Sequence, residues 1–165
     1  YMPLATRPDV LVFQTESLAE ELEATGPVSV QLWISSSALD TDFTAKLLDV
    51  YPSSPDYPEG YALNLTDGIL RAKFHSSWSE PELLEPGKVY PITIRLYPTS
   101  NLFAKGHRIR LDISSSNFPR FDVNGNTGEN PALSSVKVSA QNSVYHDAQH
   151  PSHLILQVVP AENKR

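Results

Sequence analysis

The chain has 165 residues, with 13 Lys plus Arg against 19 Asp plus Glu, a formal net charge of -6 and no cysteine. Such a length suits one domain with a full core, since a domain of about 150 residues buries roughly 70% of its unfolded surface. Scattered basic residues in a net acidic chain exclude nucleic-acid phosphates and an anionic membrane surface as partners, and the missing thiols exclude disulfides and thiolate chemistry. No window approaches the roughly 18 apolar residues of a membrane span, and the start YMPLATRPDV has neither a basic nor an apolar leader region. A soluble protein with the cytoplasm as its compartment is the expectation, and the opening Tyr1-Met2 reads as an excised piece of a longer polypeptide.

Taken in chain order, the pattern has a period of two. An irregular strand is expected at Val10 to Gln14. Ser17 to Ala24 (SLAEELEA) alone has helical composition, and at eight residues it is open between a short helix and an extended lead-in. Thr25-Gly26-Pro27 reads as a turn. After it Val28, Val30, Leu32 and Ile34 share one face of a strand, with Ser29, Gln31 and Ser35 on the other. Further strands are expected at Thr44 to Val50, Tyr61 to Asn64 and Leu70 to Phe74, separated by Pro52 to Pro58 and by an Asp67-Gly68 turn. Glu85-Pro86-Gly87 turns the chain into Ile92, Ile94 and Leu96, which alternate with Thr93, Arg95 and Tyr97. Ile109, Leu111 and Ile113 alternate with Arg108, Arg110 and Asp112. Beyond the Asn124-Gly125-Asn126 turn, strands are expected at Ser135 to Ala140 and Leu154 to Val158. Eight or nine short strands with frequent turns predict an all-β sandwich of two antiparallel sheets, with jelly-roll connections.

The residues that could carry chemistry are few. A nucleophile elbow needs Gly-x-Ser-x-Gly, and the glycines at 26, 60, 68, 87, 106, 125 and 128 include no pair four apart. Ser134 and Lys137 have Ser-x-x-Lys spacing, which works on a helix; on the expected strand they point to opposite faces. His146, Asp147, His150 and His153 could ligate zinc, but Pro151 removes the helical register, so a solvated connection is preferred. Asp122-Val-Asn124-Gly-Asn126 begins like a calcium loop, then places Thr127 and Leu133 where Gly and Glu are required. Asn64-Leu65-Thr66 is a formal glycosylation acceptor with nothing to indicate secretion. Asp40 and Asp42 project the same way on an extended chain, where an unpaired couple would have raised pKa values; a solvated loop with Asp40 capping a turn is the commoner arrangement. Trp33, Trp78 and the tyrosines leave open a sugar-stacking platform, and with it an autonomous carbohydrate-binding module as the alternative function.

Five blocks, in order, carry a resemblance. They are RPDVLVFQTESL from Arg7, TGPVSVQLWISSSALDTDFTAKLLDVYP from Thr25, LNLTDGILRAKF from Leu63, LLEPGKVYPITIRLYPTSNLFAKGHRIRLDISSSNFPRFDVNGNTG from Leu83, and YHDAQHPSHLILQVVP from Tyr145. Together they resemble the C-terminal domain of the X-Pro dipeptidyl-peptidase and cocaine-esterase-like serine hydrolases, the CocE/NonD family. The resemblance implies a galactose-binding-like jelly roll that follows an α/β-hydrolase domain holding a Ser-Asp-His triad. It implies a non-catalytic role with no cofactor: packing on the catalytic domain, closing one side of the substrate cleft and supporting a homo-oligomer. No triad residue carries over onto this chain. The interdomain or cleft-facing candidates are Asp40, Asp42 and Phe43, and the run Ser116, Asn117, Phe118, Pro119, Arg120, Phe121 and Asp122. In that run Phe118 and Phe121 are expected as apolar anchors and Arg120 as a two-toothed clamp on a carboxylate of the partner domain.

Overall fold

The computed structural model describes residues 6–130 and 133–160. Among them eight strands form two antiparallel sheets, and no helix is long and apolar enough to cross a membrane. One sheet has the order β1 (Val10–Gln14), β6 (Arg108–Ser114), β3 (Asp42–Tyr51), β4 (Tyr61–Arg71). In the other, β5 (Tyr90–Phe103) pairs with β2 (Leu22–Ser36), whose far edge is shared by β7 (Asn142–Tyr145) and β8 (His153–Ile155). The two-residue alternation fills the space between the sheets: Val30, Leu32 and Ile34 of β2 and Ile92 and Ile94 of β5 face Phe43, Ala45 and Leu47 of β3.

Several local expectations give way to longer strands. Of the two readings left open for Ser17 to Ala24, the extended lead-in is the one that forms, and Leu22 to Ala24 open β2. Thr25-Gly26-Pro27 is no turn but a bulge inside β2, where the register to β5 shifts between Gly26 and Val28 and Gly26 takes φ 133°, a conformation costly for a residue with a Cβ. The Asp67-Gly68 turn is likewise absent, because both residues lie within β4. Gly68 is needed there for close approach: a Cβ would stand 2.5 Å from the Arg95 carbonyl oxygen of β5. Thr66 Oγ1 ties the same two strands by donating to the Tyr97 carbonyl at 2.9 Å. The strand expected at Leu70 to Phe74 ends at Arg71 and continues as a 3₁₀ turn over Ala72–Phe74. At Leu154 to Val158, β8 stops at Ile155 and Val158 keeps only a bridge to Ala24. Ser135 to Ala140 form no strand; they belong to the irregular stretch 133–141 that leads into β7.

Candidate functional site

The described parts of the segment between β6 and β7, residues 115–130 and 133–141, include Asn117 and Asn124, which attach to acids on the outer face of the first sheet, beginning on β3. There Phe43, Ala45 and Leu47 point into the core, so Asp42 and Thr44 point outward. Both are nevertheless buried, as are Asp67 on β4 and Asp112 on β6. Charges buried on the outer side of a sheet need partners, and the structure supplies them.

Arg71, opposite Asp42 in the β3–β4 register, holds it in a two-toothed pair, Nε to Oδ1 at 2.9 Å and Nη2 to Oδ2 at 3.1 Å. This hydrogen bond to Asp42 raises the Arg71 pKa from its ordinary value and keeps the guanidinium charged. Asp40 accepts the Lys73 backbone N–H at 3.0 Å, and Lys73 Nζ lies 3.8 Å from its Oδ2. The side-chain amide of Asn124 bridges both acids, donating to Asp42 Oδ1 at 2.8 Å and to Asp40 Oδ2 at 3.1 Å. Lys73 Nζ also donates to the Gly128 carbonyl at 2.9 Å. Asp40 and Asp42, 0% and 1% exposed, thus point to one side but are neither solvated nor unpaired, which corrects the solvated-loop expectation. With their oxygens occupied by donors, they clasp the loop to the sheet.

A second anchor sits on Asp67. Asn117 Nδ2 donates to its Oδ2 at 3.0 Å, and Arg120 Nη1 approaches its Oδ1 at 3.1 Å. The Arg120 guanidinium also lies over the Tyr97 and Phe121 rings, at 5.6 and 5.7 Å. The carboxylate that Arg120 meets therefore belongs to this same domain. At the far end Asn142 Nδ2 donates to Thr41 Oγ1 at 2.9 Å and to Ser115 Oγ at 2.8 Å, closing the loop at its base.

The ten sequence candidates separate by depth. Phe43 is core; Asp40 and Asp42 are the clasp; Asn117 is half-buried and Phe121 lines a small pocket beside Asp42 and Arg71. Ser116, Phe118, Pro119, Arg120 and Asp122 are exposed. Phe118 is 69% exposed and shares a shallow 780 Å³ groove with Val123, Leu133 (85% exposed) and Val136. Sequence reasoning missed Arg71, Lys73 and Asn124. The first two carry no local signal, and Asn124 reads in the sequence only as part of a turn and of an incomplete calcium loop.

Elsewhere the histidine-rich loop does not converge. The His146 ring meets Phe13 edge-on at 6.0 Å, His150 Nδ1 lies 3.1 Å from Asp147, and His153 Nδ1 lies 2.6 Å from the Pro151 carbonyl. Among the described residues no group of three or more His, Asp or Glu side chains could hold a metal ion. Ser134 and Lys137 lie on neither strand nor helix, and Ser134 Oγ accepts the Val136 N–H at 3.2 Å. Trp33 and Trp78 line one cleft with Gln31, Thr93 and Arg95.

Residues 3–155 match the model of the X-Pro dipeptidyl-peptidase C-terminal non-catalytic domain. The chain is 43% identical over 159 residues to the cocaine esterase of Rhodococcus sp. (strain MB1 Bresler), a match covering 95% of this chain and 27% of that protein. It superposes with a TM-score of 0.85 and 32% identity on an aminopeptidase from a marine sediment archaeon, Thaumarchaeota archaeon, covering 94% of this chain and 27% of the other. With an α-amino acid ester hydrolase the TM-score is 0.84 and the identity 33%, over 93% and 26% of the two chains. The chain therefore spans about a quarter of the length of the relatives it matches. A β-sandwich with no nucleophile elbow, matched along nearly its whole length, belongs to the C-terminal non-catalytic domain family of the X-Pro dipeptidyl-peptidase and CocE/NonD hydrolases.

Proposed function

We propose that this chain is the accessory domain of a serine hydrolase acting on esters or X-Pro peptides, and that its 115–141 loop docks on the catalytic domain and walls one side of the substrate cleft. The supporting observation is an apolar tip in water on a root clasped by buried charges: Phe118, Leu133 and Val136 are exposed while Asp40 and Asp42 below them are sealed. A surface of that kind is pre-ordered, so docking costs little conformational entropy. The reaction would be attack by a serine on an acyl carbonyl, with a histidine as base and backbone donors around the oxyanion, all supplied by the other domain. A homo-oligomer is a separate part of the same proposal, and light scattering of the full-length protein reads it directly.

The test separates the catalytic part from this domain and measures their affinity. Phe118→Ala is expected to weaken binding by about tenfold or more if Phe118 is an interface anchor. Unchanged affinity for both Phe118→Ala and Leu133→Ala overturns the docking role. Titration with sugars followed by tryptophan fluorescence tests the carbohydrate-binding alternative through Trp33 and Trp78. This proposal expects a flat response.

A further inference from the structure

Among the described residues the sandwich is open along β1. There this strand, VLVFQ, pairs only with β6, and it contains neither a charge nor a proline, the usual guards of a free sheet edge. Leu11 and Phe13 stand opposite Ile113 and Leu111, so they lie on the inner face of their sheet. Ile113 and Leu111 are core residues, yet Leu11 is 44% and Phe13 38% exposed. The cause is in the other sheet. Opposite β1 it offers only β7 and β8, of four and three residues, and the two are separated by the 146–152 loop. Between the sheets a recess of 390 Å³ is left, floored by Leu32, Ile109, Leu111, Val144 and Leu154 and edged by Phe13.

We propose that a stretch of the longer polypeptide, from the part that lies ahead of this domain and outside this chain, adds a strand to the free edge of β1 and sends its inward side chains into this recess. The inference rests on the reading of the chain as the C-terminal part of a longer hydrolase, and it concerns a surface distinct from the 115–141 loop. The family description places the remaining polypeptide ahead of this domain, and the match covers 27% of the cocaine esterase, so most of such a protein lies outside this chain. Thr6, the first described residue, is only four residues before β1, the strand that bears this edge. An occupant tethered so closely is present at roughly millimolar effective concentration, which favours it over a second copy. Two copies, each with a formal charge of -6, also repel. Strand addition satisfies the outward backbone groups of β1, and alternate side chains of the added strand take up the apolar recess, as in β-augmentation generally.

The absence of cysteine from this chain makes the test direct. Leu11→Cys, Phe13→Cys and, as an exposed reference at the β5–β6 turn, Lys105→Cys are made separately in the full-length protein. Labelling by a thiol reagent is then followed by peptide mass mapping. Leu11→Cys and Phe13→Cys are expected to react about tenfold or more slowly than Lys105→Cys, as for sites that open only by local unfolding, at every protein concentration. Should Phe13→Cys fail to fold, Leu11→Cys carries the test, since its side chain is the more exposed. Comparable rates at the three positions overturn the proposal. So does protection that disappears on dilution, which assigns the edge to a second copy. A native protein with the intact mass of this chain alone would overturn the accessory-domain reading and this seat with it, whereas fast labelling in a longer protein removes only the seat.

Discussion

At its root, the segment between Ser114 and Asn142 is held by Asp40, Asp42, Arg71, Lys73 and Asn124, whose polar atoms face one another. At its tip, Phe118, Val123, Leu133 and Val136 face water. This is the reverse of ordinary burial, with charges inside and large apolar groups outside. A buried ion pair contributes little net stability against an apolar replacement, because desolvation offsets its attraction, but it demands one geometry. The difference between the two regions therefore separates two tasks. The root fixes the path of the loop, and the tip offers the surface proposed to make the contact.

Asp42→Ala should break this division most severely. It leaves Arg71 without its two-toothed partner and the Asn124 amide with one acceptor fewer, at a cost of about 3 to 5 kcal/mol read from denaturant unfolding. A loss under about 1 kcal/mol would mean that the clasp is not structural. Gly68→Ala, away from the loop, drives a methyl group against the Arg95 carbonyl where β4 meets β5 and should cost about 1 to 3 kcal/mol. Asn124→Ala keeps the ion pairs but removes the bridge; about 2 kcal/mol is expected, together with faster proteolytic cutting between 116 and 138. Phe118→Ala should change stability by less than about 0.5 kcal/mol, since its ring is mostly in water, while weakening attachment to the catalytic domain. That split between stability and binding is the sharpest contrast with the root.

The smallest effect concerns pH. Asp147 has its pKa lowered from 3.8, chiefly by the hydrogen bond with His150. A depressed carboxylate stabilises the fold fully above its unfolded value and loses that contribution as pH falls through the folded one. Wild type and Asp147→Asn should therefore differ by a small constant amount at neutral pH, and the difference should shrink once pH drops below 3.8. A difference that persists in stronger acid would rule out that hydrogen bond as its source.

Much of the sandwich was legible because alternation is a local property. Val28 to Ile34, Ile92 to Leu96 and Ile109 to Ile113 declare their faces without help from the rest of the chain. Gly26 and Gly68 depart from the expected turns for one reason: each glycine is needed for a bulge or for close approach to a strand distant in sequence. Val136 and Val138 alternate with polar neighbours, yet both are exposed and no strand forms around them, since pattern alone cannot supply a pairing partner. At the site, SSSNFPRFD drew attention by its composition. The clasp beneath it joins residues 40, 42, 71, 73 and 124, and such convergence is a tertiary fact that spacing does not encode.

In the proposed role the reactive groups lie outside this chain, and the chain contributes shape. Assay of the chain by itself, rigorously pure, on a chromogenic acyl ester tests it most directly. No turnover above the buffer rate is expected. Turnover abolished by substituting one of this chain's own serines would contradict it.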